Sequence, residues 1–472
     1  MLVLSESSKI PLYAQLYEQI KADIASGALR AGAKLKSSRN ASAELHISRN
    51  TVELAYGQLF AEGFITTKPR KGYFVENLGN AGSAGALEAD AGAPATSGAP
   101  AAQMPAQAAA HDFRCGKLLL SELPCNLWQR LTSRCFHDYR EDLAKQGDVF
   151  GEAGLRAEIQ KHIHACRGAV CSAEQIVIAP GTQFCLSIAC QLLKSMGKGL
   201  GVAMEEPGCS HSRVTFQNNG FGISPVELDC GGLAVGALAQ ENVAAACVTP
   251  SHQSPTGIVM PVSRREELAE WAAQKGAFII EDDYNCHFQH SIRPLPSIQS
   301  LCAERVFYIG SFSDAMLPCI RISYMVVPKS LLGRLHGWFD GHAPFVPFLA
   351  QKPMELFMRE GHWESHLRKM GKIQKAKCAA LVNALECKFG DRVQVSGLHS
   401  GLHVLVRARW PMGEDELISR ACRAGVGVYP TSKYWSRPKS GGCGTVLLNY
   451  GGIALNDIPG AVGLLHEAWL GK

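Results

Sequence analysis

The chain has 472 residues, of which 46% are hydrophobic and 19% are charged, and its formal net charge is +5 at pH 7. This length and composition exclude a disordered chain and allow two or more globular domains with large cores. No apolar run approaches the length of a membrane span and the first residues lack the pattern of a secretory leader, so the sequence predicts a cytoplasmic protein without a membrane partner.

The first 76 residues have the pattern of a small α+β domain. A helix near 11–26 is predicted from apolar residues that recur every four positions, namely Leu12, Leu16, Ile20 and Ile24. A second helix fits 38–45, and Ser48 is placed to cap a third. Two short strands around the basic turn at 68–72 follow. Three helices and a two-stranded wing predict a winged helix-turn-helix.

The same 76 residues carry ten Lys or Arg and seven Asp or Glu, so +3 of the net charge of +5 lies in the first sixth of the chain. A positive head of this kind is compatible with a nucleic-acid partner. Residues 77–111 consist mainly of Ala, Gly, Pro and Ser. Such a segment cannot bury enough apolar surface to offset its ordering entropy, so we predict a flexible linker between two folded units.

Residues 112–472 alternate strand and helix patterns. The order is clearest where a strand near 244–248 is followed by a helix with the capping box Ser263 to Glu266 and then by an apolar strand at 277–280. This order predicts βαβ crossovers and a mostly parallel, buried sheet in a large subdomain, 112–328. Longer helices and a few strands in 329–472 predict a smaller C-terminal subdomain.

The seventeen cysteines are scattered through apolar segments. No two of them have the Cys-x-x-Cys spacing of zinc or redox sites. We therefore interpret them as free thiols that pack as small hydrophobic side chains, and we predict no metal site.

Four segments of the head carry a family resemblance: 10–16, 32–39, 48–52 and 61–65. In order and spacing they resemble the winged-helix heads of GntR-type regulators, which implies a double-stranded DNA operator as partner. The N-terminal turn of a recognition helix enters the major groove, so Arg49, Asn50 and Thr51 are the candidates for contact with base edges. The remaining candidates are expected to contact the phosphate backbone: Ser37, Arg39, Ser48, Lys68, Arg70 and Lys71.

Polar residues of the body fall into a second pattern. A glycine-led helix start, a strand-end carboxylate with a tyrosine beside it and a serine-rich turn comprise Gly181, Thr182, Gln183, Asp282, Tyr284, Ser311, Ser313 and Arg321. In these positions the body resembles fold-type I aminotransferases, and head and body together resemble the MocR subgroup of GntR regulators. The resemblance implies an α/β body that binds pyridoxal phosphate (PLP) and a homodimer.

Three positions depart from the family pattern. Asp314 stands where the family has the lysine that forms a Schiff base with PLP, and a carboxylate cannot form that bond. Cys209 replaces an aromatic residue that stacks on the cofactor ring, and no arginine stands near Leu447 to bind a substrate carboxylate. His211 lies where some members carry an arginine.

The sequence therefore predicts a DNA-binding transcription regulator with no catalytic residues, whose aminotransferase-like body serves dimerisation and the sensing of a small-molecule effector. Covalent PLP is not expected, and two alternatives for the pocket stay open: pyridoxamine phosphate held without a covalent bond, or no ligand. Two alternatives for the whole chain also stay open, a PLP-dependent aminotransferase-type enzyme or PLP-responsive regulator and a purely structural body.

Overall fold

The computed structural model describes residues 11–68, 72–76, 109–288, 295–437 and 444–471. The head contains helices α1 Leu12–Ala25, α2 Ser38–Leu45 and α3 Arg49–Ala61 and strands β1 Ile65–Lys68 and β2 Gly72–Val75. Strands β1 and β2 pair in antiparallel register. The winged helix-turn-helix predicted from the sequence is thus present.

Serine caps fix the helix starts in the head. The Ser37 hydroxyl accepts a hydrogen bond from the backbone N–H of Asn40, and the Ser48 hydroxyl accepts one from the N–H of Thr51. Each cap satisfies an N–H group that would otherwise lack a partner in the first turn. The apolar face of α3 is completely buried at Val52, Ala55 and Leu59, as the spacing predicts.

The body contains fourteen strands among the described residues: β3 His111–Asp112, β4 Ile176–Ala179, β5 Gly201–Glu206, β6 Gly222–Asp229, β7 Gly232–Leu233, β8 Ala245–Val248, β9 Phe278–Asp282, β10 Val306–Ser311, β11 Ser323–Val326, β12 Val393–Ser396, β13 His403–Ala408, β14 Val426–Gly427, β15 Tyr429–Pro430 and β16 Thr445–Asn449. Its helices are α4 Cys125–Asp138, α5 Ala153–Arg167, α6 Thr182–Ser195, α7 Ser210–Asn218, α8 Val235–Leu238, α9 Val262–Lys275, α10 Ile298–Leu301, α11 Leu332–Phe339, α12 Phe348–Arg359, α13 His362–Phe389, α14 Glu414–Arg423 and α15 Ile458–Leu470. Strand β3 pairs with β14 and begins at His111, the last residue of the predicted linker.

The central sheet of the body has eight strands in the order β4-β11-β10-β9-β8-β5-β6-β7. The five strands from β10 to β6 in this order are parallel, whereas β4, β11 and β7 run antiparallel to their neighbours. Side chains of the sheet enter two separate cores: Ile279 of β9 belongs to one and Ile280 to the other. The sheet is therefore covered on both faces, as expected for parallel strands.

The C-terminal part of the body forms the smaller subdomain. Four strands in the order β12-β13-β16-β15 make an antiparallel sheet. Helix α13, of 28 residues, packs on β12 of this sheet and against α15, and Trp363 of α13 is completely buried. No helix among the described residues has the length and apolar character needed to cross a bilayer.

One helix start was predicted wrongly. Helix α9 begins at Val262 after Pro261, without a side-chain cap, so Ser263 lies inside the first turn and the predicted capping box is absent. The fixed φ of proline already suits the residue that precedes a helix, and here Pro261 has φ −66°. The helix therefore starts one residue before the serine.

Candidate functional site

A cavity of about 320 Å³ opens at the carboxyl ends of the parallel strands. Thr249 follows β8, Asp282 ends β9 and Ser311 ends β10, and all three line the cavity. Open α/β sheets bind their ligands at this edge, because the loops that leave the strands converge there. The cavity is therefore the first candidate for a ligand site.

The structure brings the predicted pocket residues together. Among the described residues, those that line the cavity are Thr182, Gln183, Cys209, His211, Ser212, Thr249, Ser254, Asp282, Tyr284, Ser311, Ser313, Asp314, Arg321 and Ser323. Every pocket residue predicted from the sequence is in this set except Gly181, which caps the start of α6 beside it.

One end of the cavity is suited to an anion. Helix α6 starts there, and the free N–H groups of a helix N-terminus attract negative charge. Gly181, with φ +122°, leaves room for the guanidinium of Arg321, whose Nη2 atom would collide with a β-carbon at position 181. Arg321 adopts a left-handed backbone with φ +55°, which is unusual for a residue other than glycine and is typical of functional sites.

Serine hydroxyls complete this end. The Ser311 hydroxyl accepts hydrogen bonds from the backbone N–H of Ser313, at 3.2 Å, and from the Ser323 hydroxyl, at 3.1 Å. The Oγ atom of Ser313 is buried and has no hydrogen-bond partner among the described residues. A buried hydroxyl of this kind is available to a ligand oxygen.

Two adjacent aspartates at the end of β9 have different surroundings. Asp283 forms a buried ion pair with Arg167 at 2.7 Å and also accepts a hydrogen bond from Tyr308. Asp282 is 6% exposed, and its Oδ1 atom has no partner in the part of the chain that the structure describes. Burial, with the negative charges of Asp283 and Asp314 added to it, raises the pKa of Asp282 to about 7.

Asp314 lies on the cavity wall within the turn that follows β10. Its side chain is surrounded by protein and reaches solvent through the cavity. Burial raises the pKa of Asp314 to about 6, and the charge of Arg321 limits the rise. No ion pair joins Asp314 and Arg321 in the described ranges. The turn is held from the small subdomain by His366, whose Nε2 atom donates a hydrogen bond of 2.6 Å to the carbonyl of Ala315.

The residues fit most of PLP, the cofactor that the family resemblance implies. The start of α6, the serines and Arg321 match a phosphate, and the unpartnered oxygen of Asp282 matches a protonated ring nitrogen. None of the described residues that line the cavity is a lysine. Leu447, near which the sequence lacks an arginine, is buried in β16 opposite Leu405. The described wall residues thus offer groups for the phosphate and the ring nitrogen.

Sequence reasoning missed four polar wall residues: Ser212, Thr249, Ser254 and Ser323. A signal existed for Thr249, which directly follows an apolar strand, and for Ser323, which lies two residues beyond Arg321. Ser212 lies in the first turn of α7 and Ser254 in the loop after β8, and the sheet as a whole brings both segments to the cavity.

The recognition helix of the head presents the predicted base-contact residues. Arg49 and Asn50 are exposed in the first turn of α3, and Thr51 is half-buried with its hydroxyl 2.8 Å from that of Ser48. Arg49 forms an ion pair with Glu53 at 2.8 Å. Ser37, Arg39 and Ser48 are exposed as well. Lys68 ends β1, whereas the predicted contacts Arg70 and Lys71 lie outside the described residues.

Comparison with known proteins gives two family matches. Residues 12–75 match the family described as bacterial regulatory proteins, gntR family, and residues 122–432 match aminotransferase class I and II. The first match covers the winged helix-turn-helix, and the second covers the cavity.

Curated relatives share both parts. The chain is 34% identical to the uncharacterized HTH-type transcriptional regulator YdeL of Bacillus subtilis, over 99% of this chain and 98% of that protein. It is 30% identical to the probable rhizopine catabolism regulatory protein MocR of Rhizobium meliloti, over 100% of this chain and 96% of that protein. The HTH-type pyridoxine biosynthesis transcriptional regulator PdxR of Corynebacterium glutamicum is 28% identical to the chain, over 91% of this chain and 90% of that protein.

Solved structures support the fold of the body. Kynurenine aminotransferase of Pyrococcus horikoshii covers 76% of this chain and 90% of its own with a TM-score of 0.66 at 20% identity. LysN, the α-aminoadipate aminotransferase of Thermus thermophilus, covers 76% of this chain and 91% of its own with a TM-score of 0.66 at 23% identity. The body therefore has the fold of these aminotransferases.

Proposed function

Since this chain belongs to the MocR-like HTH-type transcriptional regulators, in which a gntR-family DNA-binding domain precedes an aminotransferase class I and II domain, we propose that its body is a non-catalytic sensor that acts as a homodimer. The observation that carries this proposal is Asp314, an acidic residue in a cavity that otherwise keeps groups for a phosphate and a pyridine ring.

The absence of catalysis follows from the chemistry of the wall. Covalent attachment of PLP needs an amine, and the described residues that line the cavity include none. Cys209 offers no aromatic face to a ring, and Leu447 offers no charge to a substrate carboxylate. A cavity of this composition can bind and orient a ligand, but it lacks the groups that would transfer an amino group.

The cavity can still bind a ligand. When PLP is bound, its ring supplies the electron-withdrawing chemistry of the family. In this chain Ser313, Arg321 and the start of α6 would hold the phosphate, and Asp282 would hold a proton on the ring nitrogen. These residues belong to the large subdomain, whereas His366, which supports the turn after Asp314, belongs to the small one. A ligand bound at Asp314 lies beside this turn. The position of the small subdomain can therefore depend on whether the ligand is bound.

A homodimer suits the DNA-binding part of the function. One recognition helix reads only a few base pairs, and two heads on one operator multiply modest half-site affinities through their effective concentration. Half-sites spaced by about one or more helical turns, roughly 34 Å each, are expected for two-fold symmetric heads.

The experiment measures both the selection of DNA duplexes and the turnover of amino acids. Full-length protein is used to select duplexes from a random pool, and the same preparation is incubated with PLP and a panel of amino acids. We expect enrichment of sites with repeated half-sites and no conversion of any amino acid to its oxo acid. Enrichment without repeated half-sites would argue against the dimer, and amino-group transfer above the rate of free PLP would argue against the non-catalytic body.

A further inference from the structure

We propose that the cavity selects a phosphorylated ligand with a primary ammonium group, represented by pyridoxamine 5′-phosphate, and that Asp314 is the residue that binds the ammonium. This inference rests on the proposed function, because it assigns a ligand class to the same non-catalytic cavity. It gives a binding role to Asp314, the residue that the family resemblance aligns with the Schiff-base lysine.

The first step is the balance of charge in the cavity. Arg321 is the one Arg or Lys among the described wall residues, and it lies at the end formed by α6 and the serines. Two carboxyl groups, those of Asp282 and Asp314, share the same wall, and no ion pair within the described part of the chain joins either of them to a cation. A ligand that complements this wall carries an anion for Arg321 and a positive group for each carboxylate.

The second step compares forms of one ligand. A protonated pyridine nitrogen complements Asp282 in every form, and a phosphate complements Arg321 in every form. The forms differ at one substituent, which is an ammonium in pyridoxamine phosphate, a hydroxyl in pyridoxine phosphate and a carbonyl in PLP. An ammonium donates charge-assisted hydrogen bonds to a carboxylate, a hydroxyl donates a neutral one, and a carbonyl oxygen only accepts.

The third step is the state of Asp314. Burial raises its pKa to about 6, so it carries a negative charge for most molecules at pH 7.5 even without a ligand. The groups that act on it are Arg321 on the same segment, Asp282 at the end of β9 and Cys115 from the start of the body. A bound ammonium adds a favourable charge to this set, because the Asp314 carboxylate has no lysine beside it among the described wall residues.

The test is calorimetry on the full chain, freed of vitamers, at pH 7.5. Pyridoxamine phosphate should bind about 10- to 100-fold more tightly than pyridoxine phosphate, because the two differ in charge and hardly in size. In Asp314→Asn the ratio should fall to within about threefold. The matched control is Asp282→Asn, which removes a carboxylate from the same wall and should weaken both ligands while leaving their ratio unchanged.

Equal affinities of the two ligands in the parent chain would overturn the inference, as would a ratio that survives Asp314→Asn or absence of binding by both. None of these results decides whether the chain binds DNA or whether its body is catalytic, because the test of the proposed function measures duplex selection and turnover. Transfer of amino groups by a chain that still prefers pyridoxamine phosphate would overturn the proposed function instead.

Discussion

The Nη2 atom of Arg321 occupies the space in which a β-carbon at position 181 would lie, so the backbone of Gly181 and the guanidinium of Arg321 approach each other directly. Both residues have positive φ angles, +122° for Gly181 and +55° for Arg321. Each conformation is unfavourable for most residues, and together they place a cation at the start of α6. The pair defines the anion end of the cavity.

Gly181→Ala should displace Arg321 and strain the start of α6. We expect affinity for pyridoxamine phosphate to fall about tenfold or more, because the cation leaves the phosphate position. The control is Gly197→Ala, just beyond the other end of α6, where φ is +65° and a β-carbon meets no atom within 4 Å. It carries backbone strain without the collision, so calorimetry should show unchanged affinity. Equal losses in both variants would contradict the role given to this pair.

The family resemblance was sufficient to predict the walls contributed by single segments. A glycine before a helix, two serines near Asp314 and a carboxylate at the end of an apolar strand each match the family pattern, and the structure brings them together at the cavity. Ser212 and Ser254 were not predicted, because they are brought there by the strand order of the sheet rather than by any local pattern. The capping box at Ser263 failed for the opposite reason, since a local signal was overridden by Pro261.

Arg49→Ala should separate specific from non-specific DNA binding. Loss of a contact to a base edge should cost about 1–3 kcal/mol on a selected operator and little on random DNA. Arg39→Ala is the matched control, because an exposed phosphate contact should weaken all duplexes alike and reduce the salt slope by about one. Fluorescence anisotropy at several salt concentrations measures both. Equal losses on operator and random DNA for Arg49→Ala would refute the assignment.

Glu53→Gln should strengthen DNA binding. Glu53 forms an exposed ion pair with Arg49 at 2.8 Å, and we expect this pair to compete with a contact between the guanidinium and a base. Because exposed pairs of this spacing contribute about 0.3–0.5 kcal/mol, we expect roughly a twofold gain in operator affinity by the same anisotropy assay. A loss of operator affinity would mean that Glu53 itself contacts the DNA.

Loss of the buried Arg167–Asp283 ion pair should lower the free energy of unfolding more than loss of a surface ion pair. Both side chains are buried, and Arg167 holds the pKa of Asp283 below its usual value against the opposing effect of burial. Arg167→Ala leaves an unpaired buried carboxylate and should cost about 3–5 kcal/mol in the free energy of unfolding. Arg134→Ala, which breaks a surface pair with Glu360, should cost at most about 1 kcal/mol. Similar costs in urea denaturation would contradict this ranking.

Asp282→Asn should stabilise the chain in a pH-dependent way. The pKa of Asp282 is raised to about 7 in the folded state, whereas an unfolded aspartate titrates near 4, so the folded state binds the extra proton between these values. The destabilisation by this carboxylate is therefore absent below about pH 4, grows as pH rises from about 4 to about 7 and is complete above that. Asp283, Asp314 and Glu205 act on Asp282 in the same direction.

We expect Asp282→Asn to raise the free energy of unfolding by on the order of 1–3 kcal/mol at pH 8, with a much smaller gain at pH 5. Denaturant titrations at the two pH values measure the difference. A gain that is equal at both, or larger at pH 5, would show that Asp282 is not held with a raised pKa.

The most direct test of a body without covalent cofactor chemistry is the intact mass of the full chain after saturation with PLP and reduction with borohydride. We predict that the parent chain keeps its mass, while Asp314→Lys, which places an amine on the cavity wall, gains one phosphopyridoxyl group at position 314. Peptide mapping locates the group. A phosphopyridoxyl group on one lysine of the parent chain, at one equivalent per chain, would contradict this account.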